Sequence, residues 1–591
     1  MFYKSKLLEK VLIGINVLTA AAVAASFVML FGFDAPLLPA KILYTVQIVL
    51  LCVFIAEKIV RLFNVASKVE FLRVNWFEIP LLLALSIALH GAGRWFGEVD
   101  SEVVLHIAVG FYLVLQVVIK VCRTVVNLAA SGRSPTRTLI ASFLVLIVSG
   151  AGLLMLPRTS AAESVRFVDA LFTATSATCV TGLIVKDTGN DFSPMGQLVI
   201  LALIQLGGLG IVVFGAVFAL LLGQALSLRE RVAMQDLLSA RTLGRISNMI
   251  VFIFAGTFLI EAIGAVSLLG MWDATPGGIG DVHQRWFYSI FHSISAFCNA
   301  GFSLFEDSFA GYNRTLRVYV VICPLIVLGG LGFSVLYDLV NIAADRIKRF
   351  FKRLIHKQYR LSMAAPKRMQ LQSKIVLSVS FFLIVFGMVS ILLFERYASQ
   401  GTVENFGARD ALFQSITART TGFNTVDISK LSASSRFILI VLMFIGGSPG
   451  STAGGIKTVT LAVVIMTVVA ALRKREEVEL FKRSIRIVVV GRAITVTVLF
   501  VVVLFAATLA LSITENANGF SMAEIMFEAG SALGTVGLTT GITPSLTTVG
   551  KLIIIAVMLI GRLGPLTLLA ALTFNLKPAQ YNYPQEAVIV G

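Results

Sequence analysis

The chain has 591 residues, 57% of them apolar and only 14% charged, with a formal net charge of +17 at pH 7. Apolar stretches of about 20 residues recur along it, the pattern of a chain that crosses a bilayer many times, so counting soluble domains by length does not apply. The positive charge does not read as nucleic-acid binding, because it collects in short connections between apolar stretches rather than on one face.

Taken in order, helices are expected near 11–31, 41–61, 76–91 and 103–122, then near 138–156, 196–222, 247–271, 315–340, 373–394, 434–472, 488–513 and 549–576. The stretch 434–472 is too long for one straight span and contains Gly446-Gly447-Ser448-Pro449-Gly450, so it is expected to be a broken helix. Basic clusters punctuate the series at Lys4, Lys6 and Lys10, at Arg61, Lys68 and Arg73, at Lys120 to Arg137, at Arg229 to Arg245, from Arg346 to Lys374, and from Arg473 to Arg486. Cytoplasmic connections carry such an excess; the alternate ones hold acids such as Glu98, Asp100 and Glu102. The expectation is a multi-pass plasma-membrane protein with both termini cytoplasmic. The first apolar stretch exceeds a signal-peptide core and lacks a convincing cleavage site, so it is read as a membrane helix.

One pattern occurs four times. Phe172, Phe291, Phe413 and Phe527 each begin a short polar-and-small segment that ends at Gly182, Gly301, Gly422 and Gly537. Those glycines are 119, 121 and 115 residues apart. Each unit reads as an apolar helix, a short helix ending at the special Gly, and a second apolar helix. Asp169 and Asp410 stand where an acid complements the dipole of the short helix, whose negative end then favours a cation at the turn. Irregular backbone at membrane depth survives only inside protein or beside water, and a potassium pore needs four turns whose carbonyls replace the ion's water. Glycine supplies the φ angles this requires. The pairs Gly207-Gly208, Gly329-Gly330, Gly446-Gly447 and Gly561-Arg562 follow the four glycines by 25, 28, 24 and 24 residues. Close helix packing explains one such pair; matched placement after four matched turns points to one pore unit used four times.

Residues 450–458 nearly spell a phosphate-binding loop, but Ile456 intrudes before Lys457 and both flanks are apolar helix, which argues against nucleotide binding. Cys52, Cys122, Cys179, Cys298 and Cys323 lack metal-ligand spacing and are expected as free thiols. His292 is expected to pack or make a local hydrogen bond. No hydrolase, kinase or redox constellation is present in the sequence, so the chain does not read as an enzyme.

From about residue 138 onward the chain resembles the membrane subunit of the Trk/Ktr/HKT potassium transporters. The resemblance rests on the runs Thr173–Leu183, Gly446–Thr458 and Gly561–Thr567, the last two closer to the KtrB branch. It implies an all-α polytopic membrane protein with four tandem helix–pore-loop–helix repeats around a pseudo-fourfold pore, near 138–240, 246–345, 373–475 and 488–576. The conducting domain would run over 138–591, preceded by a bundle of about four helices in 1–130. It implies a potassium filter of backbone carbonyls at Thr178, Cys179, Val180, Thr181 and Gly182, at Asn299, Ala300 and Gly301, at Thr420, Thr421 and Gly422, and at Thr535, Val536 and Gly537. It implies an intramembrane gate at Gly446, Gly447, Ser448, Pro449, Gly450, Ser451, Thr452, Gly454, Gly455 and Lys457, with Arg562 at the same depth. A homodimer and a cytosolic ring of nucleotide-binding subunits similar to KtrA or TrkA are implied as partners, with the lipid bilayer around them. The four turns share only the Gly, so potassium permeation is better founded than exclusion of sodium.

The amino-terminal helices invite comparison with a voltage-sensing module, best at Glu57-Lys58, Arg61 and Asn75 to Glu78. The fourth helix, Glu102 to Arg123, carries only Lys120 and Arg123 where a sensor needs a repeated Arg. A packing, assembly or regulatory bundle fits better. Uptake down the electrochemical gradient needs no ATP, since the potential supplies about 2.3 kcal/mol per charge per 100 mV. The alternative is a sodium- or proton-coupled symporter, for which Glu261 and Glu528 are the acids expected to face a midplane cavity; a third reading is a receptor or scaffold.

Overall fold

The computed structural model describes residues 5–69, 71, 83, 106, 108–117, 135–161, 164–210, 246–272, 279–355, 367–397 and 406–572. The helix expected near 76–91, except for Leu83, the basic connection 229–245 and Cys122 lie outside them. The protein is mostly helical. Among the described residues five helices are long and apolar enough to cross a membrane, and one bent pair makes a sixth.

Helices α1 (Lys6–Phe31) and α2 (Ala40–Asn64) pack on each other and on the helical segment Ala108–Val117. Val23, Leu51, Phe54, Val109, Tyr112 and Leu113 form their common buried cluster. Arg61 pairs with Glu57 at 2.9 Å and with Glu9 at 3.5 Å, so its charge is used to join α1 to α2. The Arg158 amide donates to the Gly32 carbonyl at 3.2 Å, tying this bundle to the rest.

From residue 135 a long helix, a short helix ending in a turn, and a second helix follow one another repeatedly. The first set is α3 (Pro135–Leu154), α4 (Phe167–Thr178) and α5 (Pro194–Leu209). The second is α6 (Ile246–Leu268), α7 (Val282–Phe297) and α8 (Cys323–Leu331), the last entered through a π turn at Val318–Ile322 and continued by α9 (Phe333–Ile355). The third is α10 (Leu371–Tyr397), α11 (Ala408–Thr417) and α12 (Ala433–Phe444), continued after a loop by α13 (Thr458–Leu472). The fourth is α14 (Ile487–Thr514), α15 (Met522–Gly534) and α16 (Thr548–Leu563), continued by α17 (Pro565–Leu572).

The short helices owe their starts to local capping. Ser521 and Glu524 form a capping box, and the Asp410 carboxylate accepts from the Gly407 amide at 3.1 Å. Asp169 sits in the first turn of α4 and pairs with Lys551 of α16 at 2.6 Å, docking the fourth set on the first. Phe172, Phe291, Phe413 and Phe527, the first residues of the sequence pattern, are all fully buried and anchor the short helices by packing.

Two straight spans expected from the sequence are each in two pieces. The helix near 315–340 bends by 104° at Gly332, and the one near 549–576 breaks at Gly564. Gly210, which closes α5, shares their conformation, with φ of 81, 86 and 83° at Gly210, Gly332 and Gly564. A side chain rarely adopts that geometry, so glycine defines the break. The stretch 434–472 is α12, a loop at 445–457, and α13. The basic connection at 473–486 is not a plain loop but holds a hairpin, β1 (Val478–Leu480) paired antiparallel with β2 (Arg483–Ile485).

Candidate functional site

The four short helices end in one repeated turn. Two residues before each special glycine stands a residue with a side chain in left-handed conformation: Val180, Asn299, Thr420 and Thr535, at φ 56, 60, 80 and 51°. The glycines follow at φ 90, 69, 98 and 92°. Left-handed backbone at a β-branched residue costs about 1–3 kcal/mol, and such cost is characteristically borne at functional sites. All four are among the filter residues expected from the sequence, but their left-handed conformation was not, because no residue type marks it.

The turns close on one another in a circuit. A methyl placed on Gly182 would overlap the Ala300 carbonyl oxygen and lie 3.2 Å from the Gly301 Cα. On Gly301 it would overlap the Thr421 oxygen, on Gly422 the Val536 oxygen, and on Gly537 the Thr181 oxygen, returning to the first turn. Backbone thus meets backbone around a ring of four, with no room for a side chain at any of the four positions. Most of the ring is buried: Thr178, Cys179, Val180, Thr181, Asn299, Ala300, Thr420, Thr421, Thr535 and Val536 are all at most 1% exposed, whereas Gly301 and Gly422 are partly exposed. The Gly182 and Gly537 amides donate to Ser176 and Ser531 hydroxyls at 3.1 Å, whereas Ser295 and Thr417 donate onward to the Phe302 and Phe423 carbonyls at 2.8 and 2.7 Å. The hydroxyl oxygens of Thr178, Thr181, Thr421 and Thr535 have no hydrogen-bond partner among the described residues. Buried oxygens of that kind, set among carbonyls at the negative ends of four short helices, suit a desolvated cation.

The paired glycines serve the same ring. Added Cβ atoms on Gly207, Gly329 and Gly561 would overlap the carbonyls of Thr178, Phe297 and Leu533, at the ends of the three short helices above them. In the third set Gly446 packs instead on Gly454 within the loop.

That loop lies directly beneath the ring. The Ser448 hydroxyl donates to the Leu331 carbonyl, its amide to the Gly330 carbonyl at 3.0 Å, and the Phe333 amide to the Gly450 carbonyl at 3.0 Å. The loop therefore seats on the break at Gly332. Thr452 donates to the Phe297 carbonyl at 3.4 Å, and Gly454 abuts the Thr535 side chain. Its stem is held by Gly446 to Ile456 at 2.9 Å and by Thr458 to Gly447 at 3.0 Å. Ser451 donates back to the Ser448 carbonyl at 2.7 Å, and the Lys457 ammonium turns onto the Ala453 carbonyl at 2.7 Å. Arg562 joins the loop to the first set: one guanidinium nitrogen donates to the Thr452 carbonyl, the other to the Gly207 and Gly208 carbonyls at 2.5 and 3.3 Å. The sequence placed Arg562 near the loop; its bond across to the end of α5 needed the fold.

The two acids expected at a midplane cavity are instead engaged in hydrogen bonds inside the protein. Glu261 accepts from Gln205 at 3.2 Å and lies 3.8 Å from the Cys298 sulfur. Glu528 accepts from Thr543 at 2.9 Å, from the Thr540 amide at 3.1 Å, and from the Thr539 hydroxyl. An acid in an apolar span is stabilised by such donors, and the sequence had no means of naming them. His292 makes the local bonds expected of it, to Tyr288 and Ser303. Cys179, Cys298 and Cys323 are free and buried. Among the described residues no group of three or more His, Cys, Asp or Glu is placed to hold a metal ion.

The sequence profile of the TrkH family, described as cation transport protein, matches residues 106–582. The Ktr system potassium uptake protein B of Bacillus subtilis (strain 168) is 38% identical over 462 residues, covering 78% of this chain and 97% of that protein. The potassium/sodium uptake protein NtpJ of Enterococcus hirae is 36% identical over 464 residues, covering 78% and 97%. The crystal structure of the potassium transporter TrkH from Vibrio parahaemolyticus has the same fold, with a TM-score of 0.57, 19% identity, and coverage of 85% of this chain and 98% of that one. The chain belongs to the TrkH family of cation transport proteins.

Proposed function

We propose that the ring is the selectivity filter of a potassium uptake pore, with carbonyls of Thr178–Gly182, Asn299–Gly301, Thr420–Gly422 and Thr535–Gly537 as potassium ligands. The observation that carries this reading is the closed circuit of glycines, each packed against the carbonyl of the next turn. Four units near 138–240, 246–345, 373–475 and 488–576 then form one conducting domain in the plasma membrane, and residues 1–130 form a separate helical bundle. The loop 446–458 is the gate. It underlies the filter, and the fixed charge of Arg562, protonated at any workable pH, repels a cation that has left the filter. Opening requires the Arg562 bond to Thr452 and the Ser448 seat on the α8 end to break together.

Two relatives are named for potassium uptake, and the second adds sodium to its name, which supports sodium as a second permeant ion. A homodimer with a cytosolic nucleotide-binding ring completes the assembly, in keeping with the first relative's name as one component of a Ktr system. Arg346, Lys348, Lys367 and Arg368 are exposed and available to such a ring. Replacing these four by Gln should weaken co-purification with the ring while insertion survives; undiminished co-purification would remove that surface from the account. Rubidium uptake into liposomes holding only this chain tests the function itself. Uptake is expected, and its absence in well-inserted protein would leave a receptor or scaffold role.

A further inference from the structure

Directly after each anchoring Phe comes a buried polar residue: Thr173, His292, Gln414 and Glu528. Two of them reach forward to the same place. Glu528 accepts from the Thr539 hydroxyl and from the Thr540 amide, the latter at 3.1 Å, and also from Thr543 at 2.9 Å. His292 approaches the Ser303 hydroxyl at 3.2 Å and accepts from the Leu304 amide at 3.4 Å, through the same ring nitrogen. Ser303 and Leu304 stand after Gly301 where Thr539 and Thr540 stand after Gly537. The other imidazole nitrogen lies 2.8 Å from the Tyr288 carbonyl and carries the proton, so Nε2 is the acceptor. A carboxylate and a neutral imidazole thus do one task in two turns.

The remaining two positions do not. The Thr173 hydroxyl and both side-chain amide atoms of Gln414 have no hydrogen-bond partner among the described residues. The third turn is fastened from elsewhere, with the Asn424 amide donating to Ser308 at 3.3 Å and Thr425 to Asp410 at 3.4 Å. The glycine circuit runs first, second, third, fourth, so the two clasped turns face each other across the ring.

We propose that Glu528 and His292 are positioning residues for selectivity: each clasps the strand leaving its filter turn to the short helix before it, and so fixes two opposed walls of the ring. Neither touches the ion. This deepens the filter reading and rests on it. Glu528 gives the stronger clasp, because its carboxyl group takes three donors where His292 takes two, at 3.2 and 3.4 Å. Without it Thr535, Val536 and Gly537 keep their sequence but lose the restraint on the carbonyls, and the ring tolerates a smaller cation.

The test is the potassium-to-sodium permeability ratio of the purified full-length chain in liposomes, normalised to inserted protein. Glu528→Ala should lower the ratio about tenfold, the size expected for losing a net ~1–1.5 kcal/mol of hydrogen bonding, and His292→Ala about threefold. Glu528→Gln keeps one acceptor but turns an amide donor toward donors, and should fall between wild type and Glu528→Ala. Thr173→Ala should match wild type. The double variant Thr539→Ala with Thr543→Val removes the clasp from the other side and should lower the ratio as Glu528→Ala does; it decides the matter if Glu528→Ala fails to insert. A purely structural role predicts less inserted protein with an unchanged ratio, and that result overturns the proposal. Gly537→Ala in the same assay separates the two readings: if it alone loses the ratio, the filter stands and the clasp is wrong, whereas unchanged ratios throughout sink the filter itself.

Discussion

At the level of the ring the four sets of helices are nearly interchangeable; one turn below they are not. Every set follows its short helix with a left-handed residue and, two places on, a glycine at positive φ, and every such glycine meets the next turn. Beneath the ring, the second helices of the second and fourth sets break at a single glycine and that of the first set ends at one, while the third set spends residues 445–457 on a loop that reaches across to its neighbours. The difference teaches where the demands on the chain diverge. A ring of carbonyls needs equal distances from four sides, so each set repeats one backbone solution. An obstruction needs only one segment, and adding it to one set leaves the others free to serve as its seat. Ser448 on the α8 end and Arg562 between Thr452 and Gly207 are the contacts that hold it there.

The sharpest way to break the upper half is to put a methyl on a ring glycine. Gly182→Ala, Gly301→Ala, Gly422→Ala and Gly537→Ala each force a backbone overlap at positive φ. Each should lower the potassium-to-sodium ratio by about tenfold or more, the scale of 1–3 kcal/mol of local strain. Bi-ionic reversal potentials read it, and four unchanged ratios would dissolve the equivalence of the turns.

The dock between the first and fourth sets comes next. The Lys551–Asp169 pair is 2.6 Å long with side chains only 14% and 11% exposed. Lys551→Ala strands a nearly buried carboxylate and should cost about 3 kcal/mol of stability. Thermal unfolding in detergent should fall clearly, and Asp169→Asn with Lys551→Met should recover part of the loss. An unshifted midpoint would show that the ring closes without this dock.

The lower half is tested by freeing the loop. Arg562→Ala removes its bridge to α5, and deletion within Gly450–Gly455 removes the loop's tip. Either should raise basal rubidium flux severalfold per inserted protein and reduce dependence on the cytosolic ring, in keeping with loss of a charge-assisted bond of about 1.5–3 kcal/mol. Unchanged or lower flux from well-inserted Arg562→Ala would make the residue a helix-end brace and nothing more.

The smallest effect is expected from the amino terminus. Residues 1–105 lie outside the span matched by the family profile, and their described part contacts the first set near Arg158. Removing residues 1–130 should leave uptake in a potassium-uptake-deficient cell within about twofold, because the four turns all lie beyond them. Failure with normal insertion would give the bundle a part in conduction.

The ring was legible in the sequence because repetition exposed it: four Phe residues, four glycines, and three glycine pairs with a Gly-Arg counterpart at matched spacing need no structure to be noticed. The left-handed conformation of Val180, Asn299, Thr420 and Thr535 was not legible, since it is imposed by the closing ring and not by residue type. The breaks at Gly332 and Gly564 carried a readable sign: Gly210, Gly332 and Gly564 stand at one spacing after Gly207, Gly329 and Gly561. Apolar continuity outweighed that sign and suggested straight spans. Glu261 and Glu528 were misplaced for a different reason. A buried acid looks the same in sequence whether it faces a cavity or its own hydroxyl donors, and only the fold brought Thr539, Thr540 and Thr543 to Glu528.

The most direct test of the ring as a potassium filter is the reversal potential of the purified chain alone in a planar bilayer under a potassium gradient, with potassium as the only small cation on either side. A potassium pore predicts a reversal that moves by about 59 mV for each tenfold change in the potassium gradient. Conductance that ignores the gradient, or none from correctly inserted protein, would contradict the account.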